Sequence, residues 1–343
     1  MNAIENASTA LFASLLVTLP SLVSGHHSMA EFDRSVVTEF AGEVINVSWR
    51  NPHILLDVET TDANGEIVTW SLEGGAVSMQ RRRGVGDNLV AVGDRVRVAG
   101  SASTQRPHHM LVNHLLLPDG VELLVGLVRE PRWLDSGLGG ERLTLEPDSA
   151  AVASADGLFR VWSQGSRAWF FQGRANYELT PEAEAAQAAW DDVGDNPLLS
   201  CVAPGMPALM GNPYPMQFVR GDGRIELRFE EFDAVRTIHM EDAVDPAGVD
   251  ASHLGYSVGR WEGDTLVVRT TRINWPYFNR VGAPQTESVI VDERFTVVDD
   301  GNRLDYVMTV TEPGTLVEPF VWEAHWNWQQ GEAVGLYDCT VEP

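Results

Sequence analysis

The chain has 343 residues, enough for two domains with their own cores, and a formal net charge of −25 in which all 24 basic residues are arginine. The absence of lysine excludes Schiff-base catalysis through a lysine and any phosphate loop that needs one. So acidic a surface repels phosphate backbones and anionic membranes, which argues against nucleic acid as a partner, and it is read as a solubility device.

Ala10–Val23 is an almost purely apolar run interrupted by Pro20. It is too short to span a bilayer and has the length of a signal-peptide core. Val23-Ser24-Gly25 supplies small or tolerated residues for cleavage, although the residues before the run include Glu5 and no Arg or Lys. Residues 1–25 are therefore read as a signal peptide. The protein is expected in the periplasm or secreted, with no integral membrane segment after signal removal.

Residues 26–125 are β-rich. Candidate strands are Val36–Trp49, His53–Glu59, Glu66–Leu72, Asp94–Gly100 and Met110–Leu117, with alternation clearest in Arg95-Val96-Arg97-Val98. A short helical stretch, Ala76–Arg83, falls between the third and fourth strands. That order predicts an OB-like five-stranded barrel, a fold that by itself assigns no function. Residues 126–157, with Gly137-Leu138-Gly139-Gly140 and a small-residue run, read as a linker that packs partly on its neighbours.

Residues 158–343 predict a lipocalin-like antiparallel β-barrel with one short helix. Thr180 suits the N-cap of that helix, Pro181 its first position, and Glu182 and Glu184 its positive end. A loop rich in proline and glycine follows, and from Met216 there are eight or nine strands punctuated by Asp222-Gly223, Glu262-Gly263-Asp264 and Asp299-Asp300-Gly301. Cys201 and Cys339 are expected to form a disulfide in an exported chain. The alternative is a pair of buried free thiols.

Several motifs resemble an exported bacterial domain family of unknown function. They are His26-His27-Ser28, Asn51-Pro52-His53, Glu73-Gly74-Gly75, Arg82-Arg83-Gly84 and Leu117-Pro118-Asp119-Gly120. The second half resembles a companion family, also uncharacterised, through the run from Gly255 to Val268, Ile273-Asn274-Trp275-Pro276-Tyr277-Phe278, Glu287 and Glu293-Arg294-Phe295. Many of those relatives carry a histidine where Gln285 or Thr286 stands here. The resemblance implies no reaction.

Two candidate sites emerge. Six of the nine histidines precede residue 115: His26, His27, His53, His108, His109 and His114. Imidazole is a common ligand for copper and zinc. Cleavage after Gly25, or one residue earlier, leaves an amino terminus able to chelate Cu(II), so His26, His27 and His53 are candidate metal ligands. The alternative is that the first two merely flank a cleavage site.

The second candidate lies in the barrel. In Phe320–Trp328 one face reads Phe320, Trp322, Ala324, Trp326 and Trp328. The faces carrying Glu231 and Glu293 are otherwise apolar, so an inward orientation requires each carboxylate to find a partner or a raised pKa. Trp322, Trp326, Trp328, Trp275, Glu231, Glu293 and Arg294 are candidate contacts for a small apolar or aromatic ligand. The alternative is a packed core in which Arg228, Arg236 or Arg294 neutralises the glutamates. The leading expectation is a periplasmic small-molecule-binding or accessory protein with an aromatic-lined barrel pocket. A copper- or zinc-binding protein, and an enzyme using Glu231 or Glu293 as general acid or base, are the alternatives.

Overall fold

The computed structural model describes residues 32–126, 128–141, 156–164, 177–191, 194–241, 243–328 and 330–340. The apolar run Ala10–Val23 and the candidate ligands His26 and His27 lie outside the described residues.

The first domain contains β1 (Thr38–Ser48), β2 (Leu55–Thr61), β3 (Ile67–Glu73), α1 (Val77–Arg81), β4 (Arg95–Ala102) and β5 (His109–Leu116). β1 pairs antiparallel with β2 and with β4, β2 pairs with β3, and β4 with β5. A parallel pairing of β3 with β5 closes the ring in the order 1-2-3-5-4, that of an OB-like barrel. β1 serves two neighbours because it bends, with a register shift between Val44 and Asn46. Gly42 permits that bend: a β-carbon there would lie 2.4 Å from the Glu59 carbonyl oxygen. Period-two alternation buries Leu56 with Val58 and Val96 with Val98 in the core.

A sixth strand, β6 (Glu122–Leu124), adds to the lower half of β5. Residues 128–141 then fold back on the first barrel. The Leu124 N–H donates to the Leu138 carbonyl at 2.8 Å, and the buried Glu122 carboxylate accepts the backbone N–H groups of Arg132, Trp133 and Leu134 at 2.6–3.1 Å.

The second domain is a closed barrel of nine strands among the described residues. In chain order these are β7 (Val161–Gln164), β8 (Met216–Arg220), β9 (Arg224–Phe229), β10 (Val235–His239), β11 (Tyr256–Glu262), β12 (Thr265–Thr271), β13 (Ile290–Val298), β14 (Arg303–Thr311) and β15 (Phe320–Trp328). Its neighbours are antiparallel with one exception. β10 and β11 pair in parallel through only Ile238–Ser257 and His239–Val258, so the barrel is mixed rather than antiparallel. The predicted helix is α2 (Pro181–Ala188), and the Thr180 hydroxyl accepts the Ala183 N–H as its cap.

Cys201 and Cys339 form a disulfide across 138 residues of chain. It fixes the C-terminal segment between the two domains. The Asn51 side chain donates to the Tyr337 carbonyl at 2.6 Å and accepts the Val77 N–H at the start of α1 at 3.0 Å. Arg82 extends from the end of α1 to Glu230 and to Glu332, the latter at 2.6 Å. Two of the first domain's motifs, around Asn51 and Arg82, thus lie against segments of the second domain.

Candidate functional site

The barrel interior resolves the fate of its candidate residues. Arg236 on β10 reaches across to Glu293 on β13, and both are buried. All of its donor positions are occupied: Nε by the Ser257 hydroxyl at 2.9 Å, one terminal nitrogen by Glu293 Oε1 at 2.9 Å and Met210 Sδ at 3.7 Å, and the other by Thr270 Oγ1 at 2.7 Å and Glu293 Oε2. The Tyr306 hydroxyl donates to Glu293 Oε1 at 2.8 Å. Burial works against the guanidinium charge, but the adjoining Glu293 carboxylate outweighs it and holds Arg236 above the usual arginine range. Burial and the same carboxylate push the Tyr306 hydroxyl well above its usual value.

The tryptophan face does turn inward at two positions. Trp322 and Trp326 are buried and meet Tyr306 edge to face, at centroid distances of 5.4 and 5.1 Å. Trp328 is only half-buried, with the Arg160 guanidinium over its ring at 4.2 Å. These rings and the ion pair form one packed aromatic and polar cluster.

Three of the remaining candidates lie away from this cluster. Arg294 points out of the barrel and pairs with Glu262 at 2.9 Å, because it is one residue out of phase with Glu293 on the same strand. Glu231 lies beyond the end of β9 in a short 3₁₀ turn rather than on its inner face. There it binds Arg280 through both oxygens at 2.7 Å. Trp275, another candidate ligand contact, follows β12 and is buried in the core of this domain. Glu231 and Glu293 therefore belong to separate networks, each neutralised by its own arginine.

The first barrel carries a different constellation. Glu73 ends β3 with its carboxylate buried between two imidazoles. His53 Nδ1 lies 3.4 Å from Glu73 Oε1 and 3.3 Å from the Gly74 carbonyl oxygen. His109 Nε2 lies 3.5 Å from Glu73 Oε2, with Arg106 at 4.0 Å from the same oxygen. His109 is buried and its Nε2 has no hydrogen-bond partner. The parallel pairing that closes the barrel produces this meeting, since Ser71–Glu73 run beside His109–Leu111.

A nitrogen–oxygen separation of 3.5 Å is long for a hydrogen bond. It is close to the ~3.4 Å edge expected between two ligands of a tetrahedral ion with bonds of about 2.1 Å. Among the described residues no group of three or more His, Cys, Asp or Glu side chains is arranged to hold an ion. The cluster is thus at most a partial donor set.

The chain enters the described residues beside this cluster. Phe32 is buried, bridges to Ser103, and stacks its ring on His109 at 5.8 Å. The other histidines of the first domain serve different ends. His108 is exposed against Trp70. His114 contacts Glu122 at 2.9 Å; burial depresses its imidazole below the usual value, against the pull of that carboxylate.

Sequence reasoning singled out His53 but not Glu73 as a donor, although Glu73-Gly74-Gly75 was among the motifs. It also missed Arg82, Glu230 and Glu332 as the link between domains, because their meeting depends on chain separations of 148 and 250 residues. Residues 15–110 match the sequence profile of a family of unknown function, DUF6152. The match covers the first barrel as far as the beginning of β5. No curated protein matches the chain.

Proposed function

We propose that the protein is an extracytoplasmic accessory protein that binds copper or zinc on its first domain. Glu73 and His109 are the anchoring donors, His53 lies against the other carboxylate oxygen, and His26 and His27 complete the coordination. The observation that carries this reading is the buried His109 Nε2, which has no hydrogen bond and faces Glu73 Oε2 at 3.5 Å. Two imidazoles with a carboxylate are a borderline donor set suited to Cu(II) and Zn(II), and too nitrogen-rich for calcium or magnesium.

Chain length supports the role of the terminal histidines. His26 precedes Phe32 by six residues, a reach of at most ~20 Å at about 3.5 Å per residue. Phe32 itself stacks on His109, so that reach covers the cluster. Two described donors plus a terminal imidazole and amine give the four ligands of a closed site. The net charge of −25 favours cations at any such site. The disulfide is consistent with an oxidising compartment.

The test is calorimetric titration of protein beginning at His26 with Cu(II) and with Zn(II). His109→Ala and Glu73→Gln should each weaken binding by at least about 100-fold, since even outer-shell changes cost 10–100-fold. A methionine added before His26 should weaken it as well. Unchanged affinity in a folded His109→Ala protein would overturn the reading.

A further inference from the structure

After β15 the described chain forms no further strand, yet its last stretch is held at several points. The Gly335 N–H donates to Glu230 Oε2 at 2.9 Å, and the Tyr337 N–H donates to Asp233 Oδ1 at 3.0 Å. The buried Tyr337 ring packs on Tyr214 and Phe232, at centroid distances of 5.4 and 4.9 Å. Cys339 is then tied to Cys201. Terminal segments are poorly ordered unless tied down, and these contacts tie this one down.

What the tail grips on the first domain is the buried Asn51. The Asn51 side-chain nitrogen donates to the Tyr337 carbonyl at 2.6 Å, and its backbone carbonyl accepts the Thr340 N–H at 3.3 Å. Its side-chain oxygen accepts the Val77 N–H at 3.0 Å. Asn51 lies in the connection between β1 and β2, where no strand ladder sets the position of the chain. The connection depends on individual anchors instead. A second anchor is Ile54, whose N–H donates to the Gly75 carbonyl at 3.2 Å and whose carbonyl accepts the Gly74 N–H at 2.7 Å. His53 stands between the two anchors, with Nδ1 3.4 Å from Glu73 Oε1 and 3.3 Å from the Gly74 carbonyl oxygen.

We infer that the disulfide-latched tail of the second domain is a positioning element for the metal site on the first: through Asn51 it sets His53 against Glu73. This inference rests on the metal reading above and gives the second domain its part in it. Neither Asn51 nor the tail is a ligand. Both act through His53, as outer-shell groups orient the side chains around an ion. Without the tail, the segment carrying His53 keeps its anchor at Ile54 and loses the bonds of Asn51 to Tyr337 and Thr340.

Two variants separate the tail from that segment. Cys201→Ser with Cys339→Ser removes the latch. Asn51→Asp keeps the acceptor for Val77 but places a carboxylate oxygen against the Tyr337 carbonyl. In metal-free protein, the Ile54 amide should exchange its hydrogen about tenfold faster in both variants, the equivalent of about one net hydrogen bond. Titration of protein beginning at His26 should show Zn(II) affinity reduced about tenfold in both, the cost of a lost outer-shell partner. Glu293→Gln weakens the second barrel away from the tail and should leave Zn(II) affinity unchanged, so a loss there would mark the effect as general destabilisation and overturn the inference. Unchanged Ile54 exchange in both variants would overturn it whatever the metal does. Faster exchange with undiminished Zn(II) affinity would likewise show that the tail does not serve the site. A parent protein that binds no Zn(II) or Cu(II) would instead overturn the metal reading, while the exchange rates still decide whether the tail holds the segment of His53.

Discussion

Glu293→Gln probes the barrel interior most sharply, because it removes one charge and little else. Arg236 stays protonated and buried, and it loses the carboxylate that it grips with two nitrogens. Removing one partner of a buried ion pair costs about 3–5 kcal/mol. Glutamine retains one acceptor for Arg236 or Tyr306, which places the loss at the lower end, about 3 kcal/mol. For a domain of this size, each kcal/mol lowers the melting temperature by roughly 2–4 °C. Calorimetry of the disulfide-intact protein should therefore show the barrel transition falling by about 6–12 °C. Arg294→Ala, which removes an exposed pair on the adjacent residue, should change stability by no more than about 0.5 kcal/mol. The double variant Arg236→Met, Glu293→Leu should recover most of the loss, since apolar residues of similar volume often replace a buried pair at no cost. A Glu293→Gln barrel melting within about 2 °C of the original would refute the view of this pair as structural.

Arg82→Ala should leave the buried carboxylates of Glu230 and Glu332 without their shared cation, at a cost of about 3 kcal/mol, and should split unfolding into separate transitions for the two domains. A single unshifted transition would show that Arg82 does not couple them. Acid should weaken the first domain in two steps. His114 is held below the usual imidazole value, first by burial, so it resists the proton that the unfolded chain binds from about pH 6.5 downward. Burial raises the Glu122 carboxyl, but the N–H groups of Arg132 and Trp133 and the contact with His114 outweigh it, so its carboxyl is held below the usual range. Its contribution is present above the unfolded carboxyl value near ~4.3 and is lost as pH falls through the lower folded value. Stability measured in denaturant from pH 7 down to about pH 2.5 should thus fall on acidification, and Glu122→Gln should flatten the step below about pH 4.3. A profile that rises on acidification would contradict both directions.

The strands were legible because alternation is a local property. Arg95-Val96-Arg97-Val98 states its own inner face, and the five strands with a helix after the third state the order of the first barrel. The helix start at Thr180 was legible for the same reason, since cap, proline and acidic residues lie within five positions. The parallel join of β10 to β11 was not, because it rests on two residue pairs and leaves no periodic trace.

Strand parity put Trp322, Trp326 and Glu293 inside, where they are. It could not identify the partner of Glu293, since Arg236 lies 57 residues earlier in the chain. Nor could it place Glu231, whose strand stops at Phe229 and turns. The histidine and carboxylate cluster was half visible. His53 announced itself, but Glu73 reads as an ordinary charged strand end until the β3–β5 pairing brings it to His109.

The most direct test of the metal site is anomalous diffraction from crystals of protein beginning at His26, grown with Cu(II) or Zn(II), with data at each metal's absorption edge. The account predicts one strong peak within bonding distance of His109 Nε2 and a Glu73 carboxylate oxygen, roughly 2.0–2.2 Å from each. A metal peak elsewhere on the protein, or none at Glu73 and His109 under saturating metal, would contradict it.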